Sequence, residues 1–322
     1  MKRLRALALV PLLLLSLPTL ATPKPTYTVK DLTPTFWRFW DKARDKPEAE
    51  QLRLLRKHLV AIHPDVYTAE VLGLDPHLPL DEELARRWPR YLSFVGKHLN
   101  TARALSASLR RDLPRYESHF RHTFPDMAYT GEVYFVASLG AFDGGIRQVK
   151  GRAALLFGVD VIATIHGEKA NMAAFFDHEF FHLYHGQFPD PELEGTLART
   201  LWREGLATYV AGTLNPETPE SVLFGLPVDL SERARAILPQ LAGELRARLD
   251  SKSPEDYQTY FLGTSERKDL PMRAGYYVGY LVARELGRTH SLPELARMQG
   301  PPLRGAIEAV LRQLESPAPV TP

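Results

Sequence analysis

Two histidines stand four residues apart in His178-Glu179-Phe180-Phe181-His182. On a helix, residues i and i+4 lie one turn apart on one face, so the two imidazoles can share a metal ion. Glu179 follows His178 and projects about 100° further round the axis. It can therefore reach a water on that ion without ligating it. Zinc lowers the pKa of such a water to about 7, and a carboxylate can take its proton. The chemistry implied is hydrolysis. Residues 170–184 are helix-compatible, with Ala173, Ala174, Phe176, Phe180 and Leu183 apolar, and Gly186 supplies a stop. Two imidazoles and a carboxylate on so apolar a helix are costly to bury unless something satisfies them. A metal does so. There is no cysteine, so its ligands must be nitrogen and oxygen.

A catalytic zinc wants a third protein ligand and one open position. The metzincin pattern H-E-x-x-H-x-x-G-x-x-H fails, because His185 stands at its glycine and Phe188 at its third histidine. The other solution is a glutamate on a following helix. Asp190 as N-cap and Pro191 at the first helical position predict that helix, with Glu192 and Glu194 at its positive end. It is expected to run to about Gly212. Within it, Glu204 shares a face with Leu197, Leu201, Thr208 and Ala211. A carboxylate on an apolar stripe demands a partner, and the neighbouring Gly205 would let the two helices approach closely. Glu204 is the expected third ligand and Glu194 the competing one. A salt bridge from Glu204 to the adjacent Arg203 is the purely structural alternative.

His178–His182 followed by Trp202-Arg203-Glu204-Gly205-Leu206-Ala207-Thr208-Tyr209 resembles the gluzincin group of zinc metallopeptidases. It most resembles bacterial zinc-dependent proteases in which a helical N-terminal region precedes the catalytic half. The resemblance covers about residues 131–212 and extends to 273–279. It implies a zincin-like domain with one Zn2+ per chain, held by His178, His182 and Glu204. It implies Glu179 as base and then acid, and a peptide or protein as substrate. It also implies an edge strand along the cleft that pairs with the substrate backbone. Gly144, Gly145 and residues 153–158 are where that strand should lie, and a plain glycine turn is the alternative for the two glycines. A tyrosine well downstream of the glutamate ligand is implied as a donor to the oxyanion. Tyr276 is the candidate, with Tyr277 and Arg273 as alternatives, and an aromatic core helix as the structural one. In some gluzincins an acidic residue one turn after the ligand glutamate orients a zinc histidine; here Thr208 stands there. Asp177, His185 and Asn171 are the other candidates for that role. Two rival functions stay open: a degenerate peptidase fold used as a binding or assembly module of the cell envelope, and a zinc hydrolase of a non-peptide bond. The presence of all three ligands and the base argues against the first.

These residues need elements to hold them. Residues 132–137, 153–157 and 159–165 have strand composition, and helical periodicity resumes from Lys169 to about Leu314. Before them, residues 32–128 read as helices, with Leu52, Leu55, Leu59 and Ile62, and again Leu99, Ala102, Leu105 and Leu109, at helical spacing. Prolines 34, 47, 64, 76, 79, 89, 114 and 125 fall between the periodic stretches and punctuate them. Phe36, Trp37, Phe39 and Trp40 are expected in the core. His58, His63, His77, His98, His119 and His122 read as bystanders without a recognisable partner. The expected class is α+β and predominantly helical: a small sheet directly before the motif helix, helical N- and C-terminal regions, a zincin-like domain over 129–315 and a disordered tail over 316–322.

The chain has 322 residues, 44% hydrophobic and 24% charged, which excludes collagen-like, coiled-coil and disordered readings. Its N-terminus has a basic start, an apolar stretch of about 15 residues interrupted by Pro11 and Pro18, and Thr19-Leu20-Ala21. That describes a secretory signal peptide over 1–21, followed by a linker over 22–31. The stretch falls short of the ~20 apolar residues a spanning helix needs, so no stable membrane insertion is expected after cleavage. No cysteine follows it for lipidation. The expected location is periplasmic or secreted. Loss of Lys2, Arg3 and Arg5 takes the formal charge from +2 to −1, which removes any electrostatic case for a nucleic-acid partner.

Overall fold

The computed structural model describes residues 26–167, 172–263 and 267–316. The expected signal peptide, residues 22–25 of the expected linker, Asn171 and all but the first residue of the expected tail lie outside them. The described chain is predominantly helical α+β, with one four-stranded sheet. The strands are β1 (Thr28–Asp31), β2 (Glu132–Val136), β3 (Gly144–Val149) and β4 (Arg152–Gly158). Their order is β1-β2-β4-β3. β1 and β4 flank β2 in parallel, and β3 returns antiparallel to β4, with Gly144 opposite Phe157 and Val149 opposite Arg152.

Alternation along the central strands explains the layers. Val133, Phe135, Leu155 and Phe157 enter one apolar cluster, shared with the helices that carry the site. Tyr134, Val136, Ala154 and Leu156 enter a second, shared with the N-terminal helices. The sheet is thus covered on both faces, as parallel strands usually are. Phe36 and Phe39 are fully buried in the second cluster and Trp37 and Trp40 pack against it, as expected for core residues.

The N-terminal part is not separate from the rest. Thr28–Asp31, expected as linker, is a strand hydrogen-bonded along β2. The helix Leu99–Thr123 packs on the motif helix Met172–His185: Tyr116 stacks on Phe176 with ring centroids 4.6 Å apart, and Phe120 meets Phe180 at 5.8 Å.

Three local expectations differ. Residues 159–165 form a helix, Val159–His166, rather than a strand. Its composition is β-like, but tertiary bonds override propensity: the Asp160 carboxylate accepts from the backbone N–H groups of Ser138 (2.7 Å) and Gly140 (3.1 Å), which fixes the helix start against the preceding loop. Pro89 and Pro114 lie inside helices rather than between them. Each removes one ladder bond, and the buried neighbours Trp88 and Tyr91, and Leu113 and Tyr116, hold those turns in place. The helix after the motif begins at Leu197, not Pro191. Thr196 caps it, accepting from Arg199 N–H at 3.2 Å. Asp190 instead accepts from Leu193 N–H and from Gly300 N–H, tying the connection to the C-terminal helix Gly300–Glu315.

Gly205 does permit a close approach, but to a different helix. A Cβ there would stand 2.1 Å from the Gly279 carbonyl carbon, and one on Gly279 would stand 2.3 Å from Leu201 O. The glutamate helix Leu197–Leu214 therefore touches the helix Ala274–Leu286 backbone to backbone.

Candidate metal centre

Several helices and the edge strand β3 converge on a cavity of about 560 Å³. The motif helix brings His178 and His182 to its wall, and the glutamate helix brings Glu204. His178 Nε2 and His182 Nε2 are 3.1 Å apart. Glu204 Oε2 lies 3.7 Å from the first and 3.3 Å from the second. Ligands placed tetrahedrally about 2.0–2.1 Å from a zinc ion are roughly 3.3 Å from one another. Two imidazole nitrogens and a carboxylate oxygen are the donor types zinc prefers. The three residues fit that ion, and they are the one such group of acidic and imidazole side chains among the described residues.

Glu204 is held for this role. Arg203 donates to its Oε1 from Nε at 3.1 Å and Nη2 at 3.0 Å, which leaves Oε2 to face the histidines. Both the ligand geometry and the expected salt bridge are therefore present, on different oxygens. Burial alone would raise the Glu204 carboxyl, but His182, His178 and Arg203 together hold it well below the ordinary carboxylate range. Burial lowers His178, which favours the neutral imidazole a metal requires. Glu194 lines the same cavity but does not join the triangle.

Glu179 is 7% exposed, and its Oε2 has no hydrogen-bond partner. Burial pushes its carboxyl well up, and the negative charges of Asp143 and Glu204 push further, against Arg147 and Arg203. A divalent cation at the triangle would pull it back. Its floor is Gly144, the first residue of β3: a Cβ there would come within 2.7 Å of the Glu179 carboxyl carbon. Gly144→Ala is expected to leave the fold and metal content intact while displacing that carboxylate. Misplacement on this scale costs about 10²-fold in turnover. Turnover equal to wild type, with metal bound, would contradict the role given to this contact.

The helix Ala274–Leu286 supplies the fourth wall. Tyr276 and Arg273 line the cavity. Tyr277 does not: it is 3% exposed, accepts from Arg235 Nε at 3.2 Å and packs on Phe224. Arg273 stacks on the Tyr276 ring at 4.1 Å and donates to the carbonyls of Phe224 and Leu226, each at 3.0 Å. Burial, aided by Glu204, raises the Tyr276 phenol, so it keeps its proton and can donate it. Gly275 presents no bare face to the cavity, since a Cβ there would meet the Phe261 ring.

None of the described candidates for orienting a ligand histidine does so through a hydrogen bond. The Thr208 hydroxyl donates to Glu204 O within its own helix, at 2.8 Å. Arg199 donates to His185 Nε2 at 3.3 Å. The Asp177 carboxylate accepts from Asn215 Nδ2 at 2.7 Å and meets His119 Nδ1 at 3.1 Å. His119 thus has a partner that sequence reasoning did not find, 58 residues away in the chain. Burial raises Asp177 to about 6, with Asn215 and His119 opposing. Sequence reasoning also missed Asp143, Arg147, His166 and Tyr257, which line the cavity from the loop before β3, from β3, from the helix Val159–His166 and from the short helix Pro254–Tyr257. Only the adjacent glycines of β3 hinted at the first two.

No family model, curated protein or solved structure matches this chain.

Proposed function

We propose that this chain is an exported, zinc-dependent peptidase of gluzincin type. The observation that carries the reading is the triangle of His178, His182 and Glu204 with the buried, unpartnered Glu179 carboxylate beside it. Bound zinc supplies a Lewis acid and makes water a usable nucleophile near neutral pH. The chain's own residues do the rest. Glu179 takes the proton of the attacking water and returns it to the leaving amine, one carboxylate serving as base and then acid. The Tyr276 phenol donates a hydrogen bond to the oxygen on which charge develops. Arg203 fixes the carboxylate of Glu204 so that one oxygen serves the metal. β3 is an edge strand, and its free side offers backbone donors and acceptors to an extended chain, which suits a polypeptide better than a compact ester.

The test is digestion of a mixture of unstructured peptides. Cleavage that stops with a chelator and returns with about one equivalent of zinc is expected. No cleavage of any peptide by zinc-loaded protein would overturn the peptidase reading. Export rests on residues 1–21 alone. N-terminal sequencing of the protein from a secreting host is expected to begin at or near Thr22, and a membrane-bound chain beginning at Met1 would contradict it.

A further inference from the structure

Four arginines line the cavity: Arg147, Arg199, Arg203 and Arg273. Three of them are engaged. Arg203 holds Glu204, Arg273 holds two backbone carbonyls, and Arg199 donates to His185 and to Phe188 O. Arg147 is different. It stands on β3, three residues along from the glycine that floors Glu179, so about 10 Å further along the edge strand. Among the described residues it makes no ion pair and no hydrogen bond, and its Nε is buried without a partner. Its guanidinium lies 4.7 Å from the Phe142 ring centroid, a stacking contact that fixes the group and leaves its donors free. Burial pulls it below its ordinary value, against the opposing pull of Glu179, Tyr257 and Asp143, none of which pairs with it.

We propose that Arg147 is a specificity residue that binds a carboxylate of the bound peptide, two or three residues from the bond that is cut. A planar guanidinium takes a carboxylate through two parallel hydrogen bonds. A chain pairing with β3 would carry such a group past Arg147 at the stated distance. The carboxylate can come from an acidic side chain or from the peptide's C-terminus. The inference rests on the peptidase reading for its substrate, so its test must not depend on cleavage.

The test is calorimetric binding to the zinc-loaded Glu179→Gln protein. The probes are four otherwise identical unstructured twelve-residue peptides, two carrying glutamates and two the matching glutamines, each with a free or an amidated C-terminus. Either carboxylate source is expected to tighten binding by about tenfold or more. That preference is expected to vanish in the further variant Arg147→Gln, while affinity for the neutral peptide stays within about twofold. A preference for glutamate that survives amidation assigns a side chain; a preference lost on amidation assigns the C-terminus. Equal binding of all four peptides, or a preference that Arg147→Gln leaves intact, overturns the inference. Carboxylate-dependent binding by a protein whose wild type cleaves nothing sinks the peptidase reading but upholds the role of Arg147.

Discussion

Glu179→Gln is expected to keep its metal and lose its activity. Glutamine matches glutamate in shape, so the space above Gly144 still fits it. The Glu179 Oε2 has no hydrogen-bond partner, so no protein bond to that oxygen is broken by the change. What disappears is the buried carboxylate beside the triangle that can carry a proton between water and a leaving amine. General acid–base catalysis of this kind contributes about 10²–10⁴-fold, and turnover should fall by that factor. Zinc content should stay at the wild-type level. If the variant loses zinc instead, Glu179 is a ligand and the division of roles along the motif helix is wrong.

The second large effect separates two glutamates. Glu204→Ala removes one corner of a triangle whose edges are 3.1, 3.3 and 3.7 Å. Two imidazoles alone hold zinc far more weakly than three ligands, and Arg203 is left aimed at an empty site. Zinc affinity should fall by orders of magnitude and activity should vanish. Glu194 sits in the turns before Thr196 and lines the cavity away from the triangle. Glu194→Ala should leave zinc affinity nearly unchanged. Titration against a competing chelator measures both, and the reverse pattern would dismantle the gluzincin reading.

How much of this was legible in the residues depends on sequence separation. The motif helix follows from i, i+4 spacing and an apolar background, and both survive in the structure because helix periodicity is local. Glu204 was legible because a carboxylate on an apolar stripe needs a partner. The start of its helix was not: Asp190-Pro191 has good capping chemistry, but Asp190 is claimed by Gly300, 110 residues away. Residues 159–165 carry strand composition yet fold as a helix for the same reason, since the bonds that start that helix come from Ser138 and Gly140. β1 was invisible because four residues of Thr-Val-Lys-Asp carry little strand signal without the neighbouring β2. Arg147 and His119 belong to the same class. Their roles depend on what the sheet and the long N-terminal helix place beside them.

The most direct measurement is the zinc content of protein purified without added metal. Three protein ligands at tetrahedral spacing predict about one zinc per chain, retained through gel filtration. Less than about a tenth of an equivalent, with no uptake on titration, would contradict the metal centre.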